Sequence, residues 1–252
     1  MRFALAIALS LCMPSLVGAA DFRVDSRVFV GKETTPQSTN VTMFHGPHAY
    51  DILDQPEQVT FYDLPRGRIV LVDRARRVKA EVSRATLDAF CNNLKHLVKR
   101  TEDPVLDFAL RPAFEEESGE DTERVFKSKY ITYRVQPLAA ELEGMAARYR
   151  AFSDASARLN ALVNRGSLPP FPRLLVNESL DEAGEVPAQV QLTVSSARLV
   201  GGRTVHLRSE HEFRPRLLDS DLRQIDEAGE LLGSAKLVGL GEYLRPGADK
   251  QE

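Results

Sequence analysis

The sequence predicts an α+β protein with a curved antiparallel sheet, of the half-barrel kind, and helices packed on one face. Two observations carry this prediction. Extended segments come in batches, and the connections inside a batch are short and contain the Pro and Gly of tight turns. Such connections join antiparallel neighbours and cannot cross over to parallel ones. Helical segments stand between the batches, whereas doubly wound α/β proteins alternate helices with single strands.

The first twenty residues have the order of a secretory signal peptide, with a positive charge at Arg2, an apolar run over 3–13 and small residues before Asp21. We expect cleavage after about Ala20 and an exported protein, periplasmic or extracellular. Two alternatives use the same residues, namely lipid attachment at Cys12 and retention of the run as an anchor.

Removal of residues 1–20 leaves one cysteine, Cys91, so no internal disulfide can form. We expect residues 21–244 to be one α+β domain held by a packed core, followed by a polar tail over 245–252. Cys91 falls on the apolar stripe of a predicted helix, which favours a buried small side chain over a reactive thiol.

The first batch of strands is a meander. Apolar residues alternate over 22–34, where we expect one long or two short strands, and 34–40 is expected to be a polar turn region. Further strands follow in close succession, at 49–54, 58–63, 68–73 and 77–82. Ser83 is a suitable N-cap for a helix over 84–99, whose apolar residues have helical spacing.

The middle of the chain is acidic. Residues 102–112 contain two prolines, and residues 114–123 hold six carboxylates, which repel one another and so predict a solvated loop. A calcium site is the alternative, although the spaced ligands, central Gly and terminal Glu of a calcium-binding loop are missing.

The second half of the chain follows the same batch order. The predicted elements are a hairpin or long strand over 124–135, a long helix over 137–164 ended by Gly166, a short helix over 173–183 ended by Gly184, strands over 187–194 and 203–213 joined at Gly201 and Gly202, a helix capped by Ser220, and a last strand over 235–243. The apolar stripe of the long helix favours packing on the protein's own sheet over a dimer seam.

Composition and the absence of known motifs argue against several functional classes. Lys+Arg 33 against Asp+Glu 36 gives a net charge of −3, which lacks the basic excess that non-specific nucleic-acid binding needs. Beyond the signal peptide, no segment has the roughly 20 apolar residues of a transmembrane helix. No phosphate-binding loop, dinucleotide fingerprint, nucleophile elbow or Cys-x-x-Cys pair is present. We expect a non-enzymatic protein without a cofactor.

The histidines are the remaining candidates for chemistry. His45 and His48 flank a Gly-Pro turn and are candidate metal ligands, since two imidazoles at this spacing can chelate an ion together with Asp51 or Asp54. A polar turn is the alternative. His206 and His211 have odd spacing on a predicted strand, so we expect them on opposite faces. The charges beside them predict either a solvated cross-strand ladder or a strip for an anionic partner.

The segments 50–54, 57–63 and 67–73, followed by a further strand and the helix after Ser83, are similar to the successive hairpins of bacterial envelope proteins with an open half-barrel. Among these, the chain resembles the periplasmic lipoprotein-localisation carriers over about residues 44–100. The whole chain also resembles uncharacterised secreted bacterial proteins of similar length. In the carriers the concave face of the sheet and its covering helices hold acyl chains. No ligand residue carries over, and the absence of Trp, the acidic segment and the lack of an identifiable lid are departures.

We therefore expect an exported envelope protein that binds a lipid, an acylated protein or another apolar ligand in the concavity of the sheet. Two alternatives remain. One is a structural or interaction protein of the envelope whose sheet–helix space is filled, and the other is a hydrolase with an unrecognised site. An apolar strand face has the same pattern whether it lines a cavity or packs solid, so the sequence leaves the carrier and the filled core open.

Overall fold

The structure is a computed structural model that describes residues 20–96, 101–164, 166–195 and 204–245. The strands are β1 (Phe22–Val30), β2 (Ser38–His45), β3 (His48–Leu53), β4 (Gln58–Asp63), β5 (Arg68–Asp73), β6 (Val78–Ser83), β7 (Glu115–Ser118), β8 (Arg124–Lys127), β9 (Ile131–Ala139), β10 (Glu185–Ser195), β11 (Thr204–Arg214) and β12 (Lys236–Leu237). The helices are α1 (Arg84–His96), α2 (Pro104–Leu110), α3 (Met145–Val163), α4 (Phe171–Glu182), α5 (Asp219–Ser234) and α6 (Leu240–Tyr243).

One open sheet runs through the described residues. Its 12 strands have the order β12-β6-β5-β4-β3-β2-β1-β11-β10-β9-β8-β7. Every neighbouring pair is antiparallel except β12 and β6, which are parallel. The two ends of the sheet do not pair with each other, so the sheet is unclosed and fits a half-barrel. The predicted α+β class with an antiparallel sheet is confirmed.

The strands β1 to β6 form the predicted meander, in which each strand pairs with the next along the chain. The structure corrects one boundary, because 38–45 is the strand β2 where a turn region was predicted as far as residue 40. Asn40 and Thr42 occupy positions on β2 that face the helices. Polar residues at core-facing positions break the apolar alternation from which a strand is predicted.

The late strand β11 inserts beside β1 and so joins the two halves of the chain in the middle of the sheet. In this pair Val24 lies opposite Phe213, and Ser26 lies opposite His211. The strands β10, β9, β8 and β7 continue the sheet beyond β11. The centre of the sheet is therefore built from residues about 185 positions apart in sequence.

Aromatic side chains make the larger core between the sheet and α1 and α3. Phe22 and Phe44 stack with their ring centroids 4.0 Å apart, and Phe152 of α3 contacts Phe44 edge-on at 5.5 Å. Phe152 also contacts Tyr62 at 4.9 Å. This first core cluster contains Leu87 of α1 as well. Burial of so much aromatic surface holds α3 firmly on the sheet.

A second core cluster lies on the same side of the sheet, where α2 and α4 cover β8, β9 and β10. Its members include Val105 of α2, Val176 of α4 and Val135 of β9. The helix α5 lies on the opposite side, where Ala228 packs with Phe61 and other outward residues of β4 and β5. The predicted helix layer is thus present, and α5 adds a helix to the other face.

The start of α1 follows the prediction, whereas its predicted end at residue 99 lies outside the described residues. The hydroxyl oxygen of Ser83 accepts a hydrogen bond from the backbone N–H of Thr86 at 3.1 Å, which is N-cap geometry. Cys91 on this helix is 7% exposed, so its predicted burial is confirmed. The helix is described as far as His96.

The predicted start of the long helix is wrong. Residues 137–139 belong to β9, where Pro137 lies opposite Pro187 and is buried, so strand alternation continues through it. A proline has no N–H to give to the ladder, and this pair stands next to a register shift, where its loss is tolerated. The helix α3 begins at Met145, after Gly144 with a φ of 72°.

The acidic segment and its neighbour are also corrected. Residues 115–118 form the exposed edge strand β7 rather than a loop. Lys127 of β8 lies 3.2 Å from Glu117, and Arg124 pairs with Glu116, so cross-strand cations offset the repulsion between carboxylates. The predicted loop over 102–112 contains α2, whose first turn is capped by Asp103.

Near the C-terminus, Leu218 and not Ser220 is the N-cap residue of α5. The carboxylate of Asp221 accepts a hydrogen bond from the backbone N–H of Leu218 at 2.8 Å. The predicted last strand over 235–243 is two residues of β12 followed by α6. Tyr243 of α6 belongs to the first core cluster, and α6 packs beside β6 instead of extending the sheet as a strand.

Residues 1–19, 196–203 and 246–252 are outside the described residues. The signal peptide, the turn at Gly201 and Gly202 and most of the polar tail fall there. The single domain over 21–244 stays a prediction.

Candidate functional site

A band of polar side chains crosses the helix-facing surface of the sheet, between the first and the second core cluster. We call this band the polar seam, and its members are Asp51, Thr42, Asn40, Ser26, His211 and Ser209. They come from four neighbouring strands, β3, β2, β1 and β11. The register places Asp51 opposite Thr42, and Asn40 opposite Ser26. Because alternate residues of a strand share a face, the members form one surface.

Asp51 is the acidic end of the polar seam. Its carboxylate accepts a hydrogen bond from Asn40 Nδ2 at 2.6 Å and another from Thr42 Oγ1 at 2.8 Å. The side chain is almost fully buried, and this burial raises the pKa of Asp51, while the two hydrogen bonds oppose the rise. Asn40 and Thr42 therefore satisfy a carboxyl group that has no ion-pair partner among the described residues.

His211 is the centre of the polar seam. Its Nδ1 lies 2.9 Å from Ser26 Oγ, and its Nε2 lies 3.0 Å from Ser209 Oγ. Burial lowers the pKa of His211 to about 3, and the charge of Arg173 adds to this effect. The imidazole is neutral at physiological pH, so one ring nitrogen donates a hydrogen bond and the other accepts one.

Arg173 brings a positive charge to the polar seam from α4. Its Nε donates a hydrogen bond to Asn177 Oδ1 at 2.8 Å, and its charge acts on His211 and Tyr149. In the described part of the chain, no carboxylate oxygen lies within 4.0 Å of its guanidinium. Asn177 in turn donates to Asp154 Oδ1 at 2.8 Å, so an amide separates Arg173 from that carboxylate.

This arrangement suits binding better than hydrolysis. Ser26 has a neutral imidazole beside it, but the second nitrogen of His211 faces the hydroxyl of Ser209. A serine nucleophile is ordinarily activated by a histidine whose other nitrogen is held by a carboxylate that stabilises the imidazolium. Protonation of His211 is instead strongly disfavoured by its burial and by Arg173.

The structure places the two candidate metal ligands on either side of the turn between β2 and β3. His45 Nδ1 lies 2.6 Å from Asp21 Oδ2, and His48 Nδ1 lies 3.8 Å from Asp63 Oδ1. Within the described residues, no group of three His, Cys, Asp or Glu side chains is arranged to hold a metal ion. His45 and His48 remain candidate ligands by prediction.

The outward face of β11 carries the predicted charge ladder. Glu210 lies 3.1 Å from Arg27 of β1 and also pairs with Arg208, while Arg214 lies 3.2 Å from Asp25. These cross-strand ion pairs confirm the ladder. His206 is exposed and lies on the face opposite His211, as its odd spacing predicts.

Sequence reasoning identified His211 but missed its partners. The sequence suggests Asp51 only as a carboxylate near His45 and His48 and does not connect it with Asn40 and Ser26, because each belongs to a different strand and only the register brings them together. One feature of the sequence does indicate the polar seam, namely a polar residue at a core-facing position in each of three successive strands. Arg173 gave no signal, since a single Arg in a predicted helix is ordinarily solvated.

Fold and site together define an α+β protein with an open antiparallel sheet and a buried to half-buried polar band on its helix-facing surface. Among the described residues, the helices are too short or too polar to cross a membrane. No family model matches the chain, and no curated protein matches it.

Two solved structures match the chain remotely, both with a TM-score below 0.5. PNGF-II has a TM-score of 0.36 and 9% sequence identity, with 89% of this chain and 32% of that chain covered, so the chain spans about a third of its length. A LolA superfamily protein from Nitrosomonas europaea has a TM-score of 0.27 and 8% identity, with 81% of this chain and 88% of that chain covered. TM-scores and identities at this level assign no function to the chain.

Proposed function

We propose that the protein is exported and binds an amphipathic ligand, with an apolar chain and an anionic polar group, on the helix-facing surface of its sheet. The observation that carries this proposal is an apolar strip that continues the polar seam on the same face. The strip consists of Val28, Val30, Leu207 and Leu192, and all four are half-buried.

The register makes the strip continuous with the polar seam. Val28 follows Ser26 by two residues on β1 and lies opposite Ser209, and Val30 lies opposite Leu207. Leu207 in turn lies opposite Leu192 of β10. Val28, Val30 and Leu207 are not among the residues packed in the core clusters. An acyl chain on this strip would gain about 0.8 kcal/mol for each buried methylene.

The polar end of the surface suits an anionic group. Arg173 is half-buried without a carboxylate within 4.0 Å in the described part of the chain, and His211 beside it is held neutral. A carboxylate or phosphate placed there would receive charge-assisted hydrogen bonds from the guanidinium.

Export is supported by the order of charge, apolar run and small residues at the N-terminus.

Tryptophan fluorescence tests this proposal, because the natural chain contains no Trp. Leu207→Trp places a reporter on the apolar strip, and His206→Trp places a matched reporter on the opposite, exposed face of the same strand. Titration with dodecanoate below its micelle concentration is expected to shift the emission of L207W to shorter wavelength and to leave H206W unchanged. Unchanged spectra of both variants would refute the proposal, and equal shifts would indicate non-specific adsorption.

The charge of the ligand is tested separately by Arg173→Gln in the L207W background. We expect about a tenfold weaker affinity for dodecanoate and an unchanged affinity for dodecan-1-ol. The matched control is Arg111→Gln, since Arg111 is exposed on the C-terminal side of α2 and pairs with Asp107. An equal loss for both ligands in R173Q would show that Arg173 acts on the fold and not on the polar group.

A filled core that serves protein interaction is the second candidate, and a specific observation favours it. Met145, Tyr149 and Phe152 of α3 already pack against the sheet in the first core cluster. In this case the apolar strip would bind a protein surface instead of a free amphiphile. Dodecanoate would then leave the emission of L207W unchanged.

A further inference from the structure

A second concave site lies on the opposite face of the sheet, between α5 and the strands β3 and β4. It is a half-open cavity of about 290 Å³. Its lining residues are Ile52, Asp54, Val59, Arg74, Gln224, Glu227, Ala228 and Leu231. This volume is near the lower limit of small-molecule sites, so the cavity suits a ligand smaller than a typical drug molecule.

The floor of this cavity is apolar. Val59 and Ala228 are 3% exposed and belong to the third core cluster, against which Ile52 and Leu231 also pack. These side chains come from two strands and one helix that are fixed by the surrounding core. A short aliphatic body is the chemistry that such a floor accommodates.

The rim of the cavity carries charges of both signs that do not pair with each other. Asp54 and Glu227 supply two carboxylates and Arg74 supplies a guanidinium, and all three residues are exposed. In the described part of the chain, none of them has an ion-pair partner within 4.0 Å. Gln224 adds an amide to the rim. Opposite charges therefore line one cavity with no ion pair between them among the described residues.

We propose that this cavity binds a small zwitterion with a short aliphatic side chain, such as a free aliphatic amino acid. The ammonium group of the ligand is held by Asp54 and Glu227, and its carboxylate is held by Arg74 with the amide of Gln224. The aliphatic body lies on Val59 and Ala228. Each of the three unpaired charges on the rim thus faces a ligand group of opposite charge.

The proposal is independent of the function proposed above. The cavity is lined by residues of β3 and β4 that face α5, whereas the polar seam and the apolar strip face α3 and α4. A failure to bind dodecanoate therefore says nothing against the amino-acid site, and a failure to bind leucine says nothing against the amphiphile site.

Calorimetric titration of the full chain with L-leucine tests the site. We expect a dissociation constant on the order of 0.1 mM, which is ordinary for so small a ligand. The analogues 4-methylpentanoate and 3-methylbutylamine each lack one of the two charges and are expected to bind at least about tenfold more weakly. No binding of leucine, or equal binding of either analogue, would overturn the proposal.

Matched variants locate the site. Arg74→Gln and Glu227→Gln are expected to weaken leucine binding by about tenfold each. Arg223→Gln and Glu230→Gln are the controls, because both residues are exposed on α5 and neither lines the cavity. Circular dichroism verifies that all four variants are folded. Equal weakening in the controls, or full binding by R74Q and E227Q, would contradict the assignment.

Discussion

Ser26 on β1 and His211 on β11 are joined by a hydrogen bond of 2.9 Å between Ser26 Oγ and His211 Nδ1. The bond crosses the strand pair through which the late part of the chain returns to its beginning. His211 is therefore held at the centre of the sheet by a residue that lies 185 positions earlier. Its neutrality is a property of the fold, because burial is the main cause of its low pKa.

The pH dependence of stability follows from this low pKa. His211 has a pKa of about 3 in the folded chain, against an ordinary value of 6.5, so between these values the unfolded chain binds the extra proton. The stabilisation is fully present above pH 6.5 and is lost as the pH falls towards 3. From pH 7 to pH 5, we expect wild type to lose about 2 kcal/mol more unfolding free energy than His211→Asn.

Urea unfolding at several pH values measures this difference. His206→Asn is the control, since His206 is exposed on the opposite face of β11. Its loss of stability between pH 7 and pH 5 is expected to equal that of wild type. The same pH dependence in H211N and wild type would show that His211 is not the buried neutral group described.

Phe152 is expected to be the most costly truncation on α3. It contacts Phe44, Tyr62 and Tyr149 and is 8% exposed. Phe152→Ala removes these contacts and leaves a cavity, so the unfolding free energy should fall by about 3–5 kcal/mol. Leu138→Ala is the control, because Leu138 is 47% exposed, and its change should stay within about 0.5 kcal/mol. A loss below about 1 kcal/mol in F152A would contradict the packing of α3.

Two glycines give stability changes of opposite sign. Gly67 has a φ of 59°, and a Cβ added there would lie 2.8 Å from the Cβ of Arg84, so Gly67→Ala should destabilise the fold by about 1–2 kcal/mol. Gly229 is inside α5 with nothing within 4 Å of the added atom. Gly229→Ala should stabilise the fold by about 0.5–1 kcal/mol, because Ala favours the helix. Thermal unfolding measures both, and changes of equal sign would contradict the two backbone environments.

The thiol of Cys91 is expected to be slow to react. It is 7% exposed, and burial raises its pKa, so the reactive thiolate is scarce in the folded chain. Reaction with a thiol-specific disulfide reagent at pH 8 should be on the order of 100-fold slower in buffer than in urea. Comparable rates in the two solutions would place Cys91 at the surface.

Local patterns were sufficient to predict most of the first half of the fold. In β5 apolar residues occupy both faces over 69–72, turns bound β4 and β5, and the Ser83 cap defines the start of α1. The start of α3 was predicted too early, because Pro137 suits both a first helical turn and a strand beside a register shift. Only the pairing of β9 with β10 decides between them.

The polar seam could not be predicted from local patterns. Asp51 lies opposite Thr42, which is expected from their hairpin, but the contact between Ser26 and His211 depends on the insertion of β11 beside β1. That pairing is long-range, and alternation within each strand carries no information about which strand becomes its neighbour. The same limit applies to Arg173, because the effect of its charge on His211 depends on how α4 packs on β10.

Native mass spectrometry of the full chain, expressed with its own N-terminus and purified gently, tests the central proposal most directly. Comparison with denaturing spectra and organic extraction is expected to reveal a stoichiometric amphiphile that is lost in Leu207→Asp, a variant first verified as folded by circular dichroism. The denatured mass is expected to correspond to a chain that begins at Asp21. A chain that is bare as purified, and still bare after incubation with anionic lipids, would contradict ligand binding on the helix-facing surface.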